Sequence, residues 1–110
     1  MGRGSFASRG GGSGSGGGNV SNNPLVNGIV DTLNSSGFVR LTSRDRAQAV
    51  ASISSSTDIG DSFSLNNGSP IVKTGANTWQ NAGISLTTSE VLGMLVDGVN
   101  IGWKIKFKSK

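Results

Sequence analysis

The last nine residues, GWKIKFKSK, set the tightest limit on the fold. Trp103, Ile105 and Phe107 alternate with Lys104, Lys106 and Lys108. A period of two belongs to a β-strand, where successive side chains point to opposite faces. The pattern predicts a C-terminal strand with the three apolar residues in the core and the lysines in water. Lysine on an edge strand also blocks edge-to-edge pairing with other chains. A chain that ends this way must supply partner strands and something to cover the apolar face.

The 110 residues leave room for one domain. Residues 1–18, MGRGSFASRGGGSGSGGG, hold nine of the 18 glycines and a single large apolar residue, Phe6. Such a stretch cannot offset its ordering entropy by burial and is expected to be a disordered leash. It contains GRG and SRGGG, but without the repetition of an RNA-binding RGG segment. Residues 19–110 are expected to form one domain, burying roughly 60–65% of its unfolded surface.

Five segments alternate with turn signals. Asn23 before Pro24 marks a helix start. Leu25, Ile29, Val30 and Leu33 follow at helical spacing, Gly28 costs the helix about 1 kcal/mol, and Gly37 is placed to stop it. Phe38–Leu41 reads as a short strand. Thr42-Ser43-Arg44-Asp45 opens a second helix with a small-residue face of Ala47, Val50 and Ala51. Ser62–Leu65, the turn Asn66-Asn67-Gly68, residues 70–74 and a strand starting at Thr78 form a meander. Thr87-Thr88-Ser89-Glu90 is a second capping box, leading into Val91, Leu92, Leu95 and Val96, with Gly98 as the expected stop. The whole predicts an α+β fold: about three short helices on one face of a mainly antiparallel sheet of four to five strands.

Composition removes several chemistries. The chain has no cysteine, histidine or tyrosine. Disulfides, thiolate metal sites and imidazole bases are excluded with them. No apolar run is long enough to span a membrane, and no secretory signal is visible. A cytoplasmic or virion-associated protein is expected. Asp58 and Asp61 flank a turn, but two carboxylates without a closing glutamate do not make a calcium loop. No metal, cofactor or catalytic set is expected. A small hydrolase built around Glu90 ranks last, because the capping box already accounts for that glutamate.

Two binding surfaces are candidates. Trp79, with Lys73 and Asn77 beside it, would anchor a protein partner if exposed. Arg40, Thr42, Ser43, Arg44 and Arg46 surround a helix start, and together with Lys104, Lys106 and Lys108 they would suit phosphate or nucleic acid. The charge distribution argues against the second surface as the principal one. The sequence carries a net +4, yet residues 19–103 have four cations, Arg40, Arg44, Arg46 and Lys73, against six carboxylates.

The glycine-rich leader followed by a small polar α+β domain resembles hypothetical proteins of prophages and other bacterial mobile elements. That resemblance implies an accessory or structural protein acting on a host component, including the inhibitor type. It names no active residues. The expected function is a non-enzymatic protein-binding or structural module, with nucleic-acid binding as the alternative.

Overall fold

The structure is a computed structural model, and it describes residues 23–36 and 41–110. The expectations for the leader, for Gly37, for a strand at Phe38–Leu41 and for Arg40 lie outside the described residues. The element order is α1 (Pro24–Ser36), α2 (Ser43–Ser56), β1 (Ser62–Leu65), β2 (Ile71–Gly75), β3 (Thr78–Asn81), β4 (Ile84–Thr87), α3 (Thr88–Asn100) and β5 (Ile105–Lys108). Five antiparallel strands lie in the order β4-β3-β2-β1-β5. The C-terminal strand is thus an edge strand, and the α+β expectation holds.

Strand register sorts the side chains into two faces. Phe107 stands opposite Phe63 and Phe63 opposite Ile71, while Lys73 faces Trp79 and Trp79 faces Leu86. This row looks inward. Phe63 packs at 4.9 Å from Phe107 and 5.5 Å from Trp79 between ring centroids. Val26, Val30 and Leu33 of α1, Ile53 of α2, and Val91, Leu92, Leu95, Val96 and Val99 of α3 close over it. The alternate row, Lys108-Ser62-Val72-Gln80-Ser85, runs across all five strands on the other face. The three helices therefore cover one face and leave this polar one open.

The expected helix faces hold at Val30, Leu33, Val50 and throughout α3, with Ile29 packed beside them, but part of the α1 and α2 stripes turns outward. Val26 is buried in α1 and Leu25 is 48% exposed. In α2 the inward residues are Ala49, Val50 and Ile53, while Ala47 and Ala51 face solvent. A periodic run fixes that a helix has an apolar stripe, but the stripe's centre follows the layer it meets.

One strand, β4, lies beyond the meander that the sequence predicts. Asn81 pairs with Ile84 across the two-residue turn Ala82-Gly83, making a β3–β4 hairpin. Both turn residues have positive φ, 52° and 83°, as a type I′ turn requires. Alanine is an uncommon choice there, so Ala-Gly carries little of the signal that Asn-Gly would.

The link between helical layer and sheet is polar. Lys73 is 3% exposed, on the inner face of β2. Its Nζ donates to Ser54 O at 2.7 Å, Thr57 O at 2.8 Å and Thr57 Oγ1 at 2.8 Å. The ammonium thus supplies donors to carbonyls left over at the end of α2, where the helix dipole also favours a cation. All three of its N–H bonds are used. Asn23 ties the same region to α1 by donating to Ser56 O.

Burial holds the Lys73 ammonium below its ordinary 10.5, with the Asp58 and Asp61 carboxylates pulling the other way. Between that lowered value and 10.5 the unfolded chain binds more protons than the folded one. Stability from this group therefore rises with pH across the window and is lost as pH falls through the lowered value. Replacing Lys73 by Met keeps the stem but strands three acceptors, and about 2 kcal/mol or more of stability should go with them. In denaturant titrations from neutral pH up to 10.5, wild type should gain stability relative to Lys73→Met. A constant or shrinking gap contradicts the assignment.

Candidate functional site

Of the expected protein anchor, Trp79 and Lys73 are not at the surface. Trp79 is fully buried, and its Nε1 donates to Thr88 Oγ1 at 2.9 Å. Lys73 lies 5.8 Å from the Trp79 ring and is spent on α2. The alternation of β3 puts Trp79 on the face that the helices cover, which is why it is core. Asn77 is exposed, and its Oδ1 accepts from Thr88 N at 3.3 Å. It helps to hold the start of α3. The Thr87 and Glu90 capping box is complete, with Glu90 N to Thr87 Oγ1 at 3.2 Å and Thr87 N to Glu90 Oε1 at 2.8 Å. Glu90 is thereby occupied by its own helix.

The expected anion surface divides into two. Thr42 caps α2, accepting from Asp45 N at 3.0 Å, and Ser43 is the first helical residue. Arg44 is exposed, and the Arg46 guanidinium lies against α3 at Gly93. These belong to the helical layer. Lys106 and Lys108 are on the open sheet face, and Lys104 is exposed just before β5. Lys106 donates to Asn67 Oδ1 at 2.9 Å. Arg44 and Arg46 therefore do not converge with the lysines on one surface. Asp61 is buried and organises the α2–β1 turn, its carboxylate accepting from Asp58 N and Lys110 N at 2.8 and 2.9 Å. Among the described residues no three carboxylates come together to hold a metal.

The larger correction concerns Trp103, which is 42% exposed rather than core. The helix α3 does not stop at Gly98 but runs to Asn100. It ends on Gly102, whose φ is 92°. Gly102 N–H donates to Val99 O at 2.9 Å and Trp103 N–H to Gly98 O at 2.9 Å. This is the Schellman arrangement, with Trp103 in the position that folds back on the helix. The indole lies over Gly98, where a Cβ would meet Leu65 Cδ2 at 2.9 Å and Trp103 Cε3 at 3.5 Å. The cap claims Trp103, so β5 starts two residues later and only Ile105 and Phe107 enter the core.

Trp103 thereby forms one wall of an open groove of about 400 Å³. Leu65, Ile71, Met94 and Ala82 supply apolar lining, and Asn66, Asn81 and Ser69 supply polar rim atoms. Asn81 Nδ2 is engaged with Ser69 O and Pro70 O, which fixes the two turns relative to each other. None of the lining side chains ionises. The groove offers aromatic and aliphatic contact area with amides and the Ser69 hydroxyl at its edge, which suits binding, and its lining holds no ionisable acid or base.

No family model, curated protein or solved structure matches the chain.

The different settings of the two tryptophans can be measured. Trp103→Phe leaves only the buried indole, and acrylamide quenching of fluorescence should fall several-fold. Trp79→Phe should leave quenching close to the wild-type level. Equal quenching in the two variants would place Trp103 back in the core.

Proposed function

We propose that the protein is a non-enzymatic binding module that receives an apolar side chain of a partner protein in the groove beside Trp103. The observation that carries this reading is the half-exposed indole on the wall of an un-ionisable, mainly apolar cleft. Tryptophan gives large contact area for little rotamer entropy and is over-represented at binding hot spots. The glycine-rich leader's likeness to prophage proteins supplies a setting, an accessory protein of a mobile element acting on a host protein. Panning a displayed peptide library on the wild-type protein should enrich sequences with one apolar or aromatic anchor. Trp103→Ala should lower their affinity by about tenfold or more, the loss typical of a hot-spot truncation. Enriched peptides whose affinity ignores Trp103→Ala, and whose binding leaves Met94 and Trp103 resonances unmoved, refute this use of the groove.

A second reading, a polyanion on the open sheet face, is favoured by one arrangement. All six carboxylates lie elsewhere: Asp31 in α1, Asp45 in α2, Glu90 and Asp97 in α3, and Asp58 and Asp61 in the α2–β1 turn. The open face carries Lys106 and Lys108 beside hydroxyl and amide side chains. Binding to single-stranded nucleic acid should then weaken steeply with salt. The double substitution of Lys106 and Lys108 by Ser should flatten that dependence. Affinity that is absent at low salt, or unaffected by the double substitution, removes the second reading.

A further inference from the structure

The two edges of the sheet are finished differently. On β5, Asn66 N–H donates to Lys104 O at 2.8 Å, so even-numbered residues turn their backbone groups toward β1 and odd-numbered ones turn theirs outward. The outward N–H and C=O of Ile105 are both taken by the Asn34 side chain, at 2.7 Å each. Lysines flank that edge. Helix α1 thus blocks the Ile105 half of this edge, the outward groups of Phe107 have no partner among the described residues, and the lysine charge is what discourages a second strand there.

On β4 the outward groups at the centre of the strand are open and no charge flanks them. Thr87 N–H bonds to Glu90 Oε1 and so points away from β3. By alternation Ser85 also presents its N–H and C=O outward. Among the described residues nothing pairs with them. Ile84 is 62% exposed and Leu86 half-buried, on the inner side of the same strand. From Thr74 to Ser89 there is no ionisable residue. The strand lacks a proline and an edge lysine, two of the devices that discourage pairing.

We propose that β4 is a self-association edge, and that its occupant is β4 of a second copy, antiparallel, with Ser85 opposite Ser85 across a two-fold axis. The strand reads Ile-Ser-Leu about that residue, so the register sets Ile84 of each copy against Leu86 of the other. It forms one closed pair of Ser85 hydrogen bonds and keeps both helical layers on the same side of a continuous sheet. Charge selects this edge over the other. Two copies with a net +4 each repel one another, and pairing through β5 would bring two lysine rows together, whereas β4 meets without charge. A two-fold contact is also the commonest closed form of self-association. The contact is small, so the dimer forms weakly and in a concentration-dependent way.

Sedimentation velocity on the full chain over a wide concentration range tests this. Wild type should shift from monomer to dimer as concentration rises. Ile84→Lys puts a charge on an already exposed position, and Ser85→Pro removes an outward donor that the β3–β4 ladder does not use. Each should weaken dimerisation by about tenfold or more. Lys106→Ser and Trp103→Ala should leave it unchanged, which separates this edge from the groove. Circular dichroism identifies any variant that has unfolded, and Ile84→Lys then carries the comparison. A wild type that stays monomeric up to about millimolar concentration, where even weak contacts show, overturns the proposal. So does a dimer indifferent to Ile84→Lys, or one abolished by Lys106→Ser.

Discussion

One buried ammonium holds the two layers in register. Lys73 reaches from the inner face of β2 to the last turn of α2 and satisfies carbonyls that a helix end leaves open. Burying a cation in a domain with a small core costs free energy, and the arrangement is stable only because every donor finds an acceptor. Its position then constrains what surrounds it. The Trp79 ring stands 5.8 Å from Nζ, and Trp79 in turn donates to Thr88 at the start of α3. A chain of contacts thus runs from α2 through β2 and β3 to α3. It adds a polar tie to the apolar packing of the helices on the sheet.

The groove depends on how α3 ends. A helix that stopped at Gly98 would have released Trp103 into the strand pattern. Because the backbone instead turns left-handed at Gly102, Trp103 bends back over Gly98 and joins Leu65 and Met94 at the end of the sheet. The missing side chain at Gly98 permits that approach. A local backbone preference therefore converts a core candidate into a surface one, while its neighbour in kind, Trp79, goes inside. The ionisable groups near the core, Lys73 and Asp61, are consumed in holding backbone.

The sequence patterns identify element types better than they identify the surroundings of single residues. The N-cap at Thr42, the capping box at Thr87, the proline start of α1 and the Asn66-Asn67 turn involve residues a few positions apart, and their chemistry is local. Both β1 and β5 appear as alternation, and the edge position of β5 agrees with its lysines. The β3–β4 hairpin is obscured because Ala82 adopts a conformation that its residue type does not advertise. The candidate site was the least legible part. Trp79, Lys73 and Asn77 are neighbours in the chain and look like a surface cluster, yet strand parity sends the first two inward and leaves the third outside.

What the amino-acid order alone determined is the α+β class, the caps, the strand alternation and the absence of cysteine, histidine and tyrosine chemistry. These rest on short-range geometry and on residue inventory, which need no partner in space. Tertiary structure decided which of two tryptophans is buried, where Lys73 spends its charge, and which sheet edge stays open. Those outcomes turn on contacts between residues distant in sequence. Asn34 meeting Ile105 and Lys73 meeting Thr57 are examples, and only the packed layers bring them within hydrogen-bond reach.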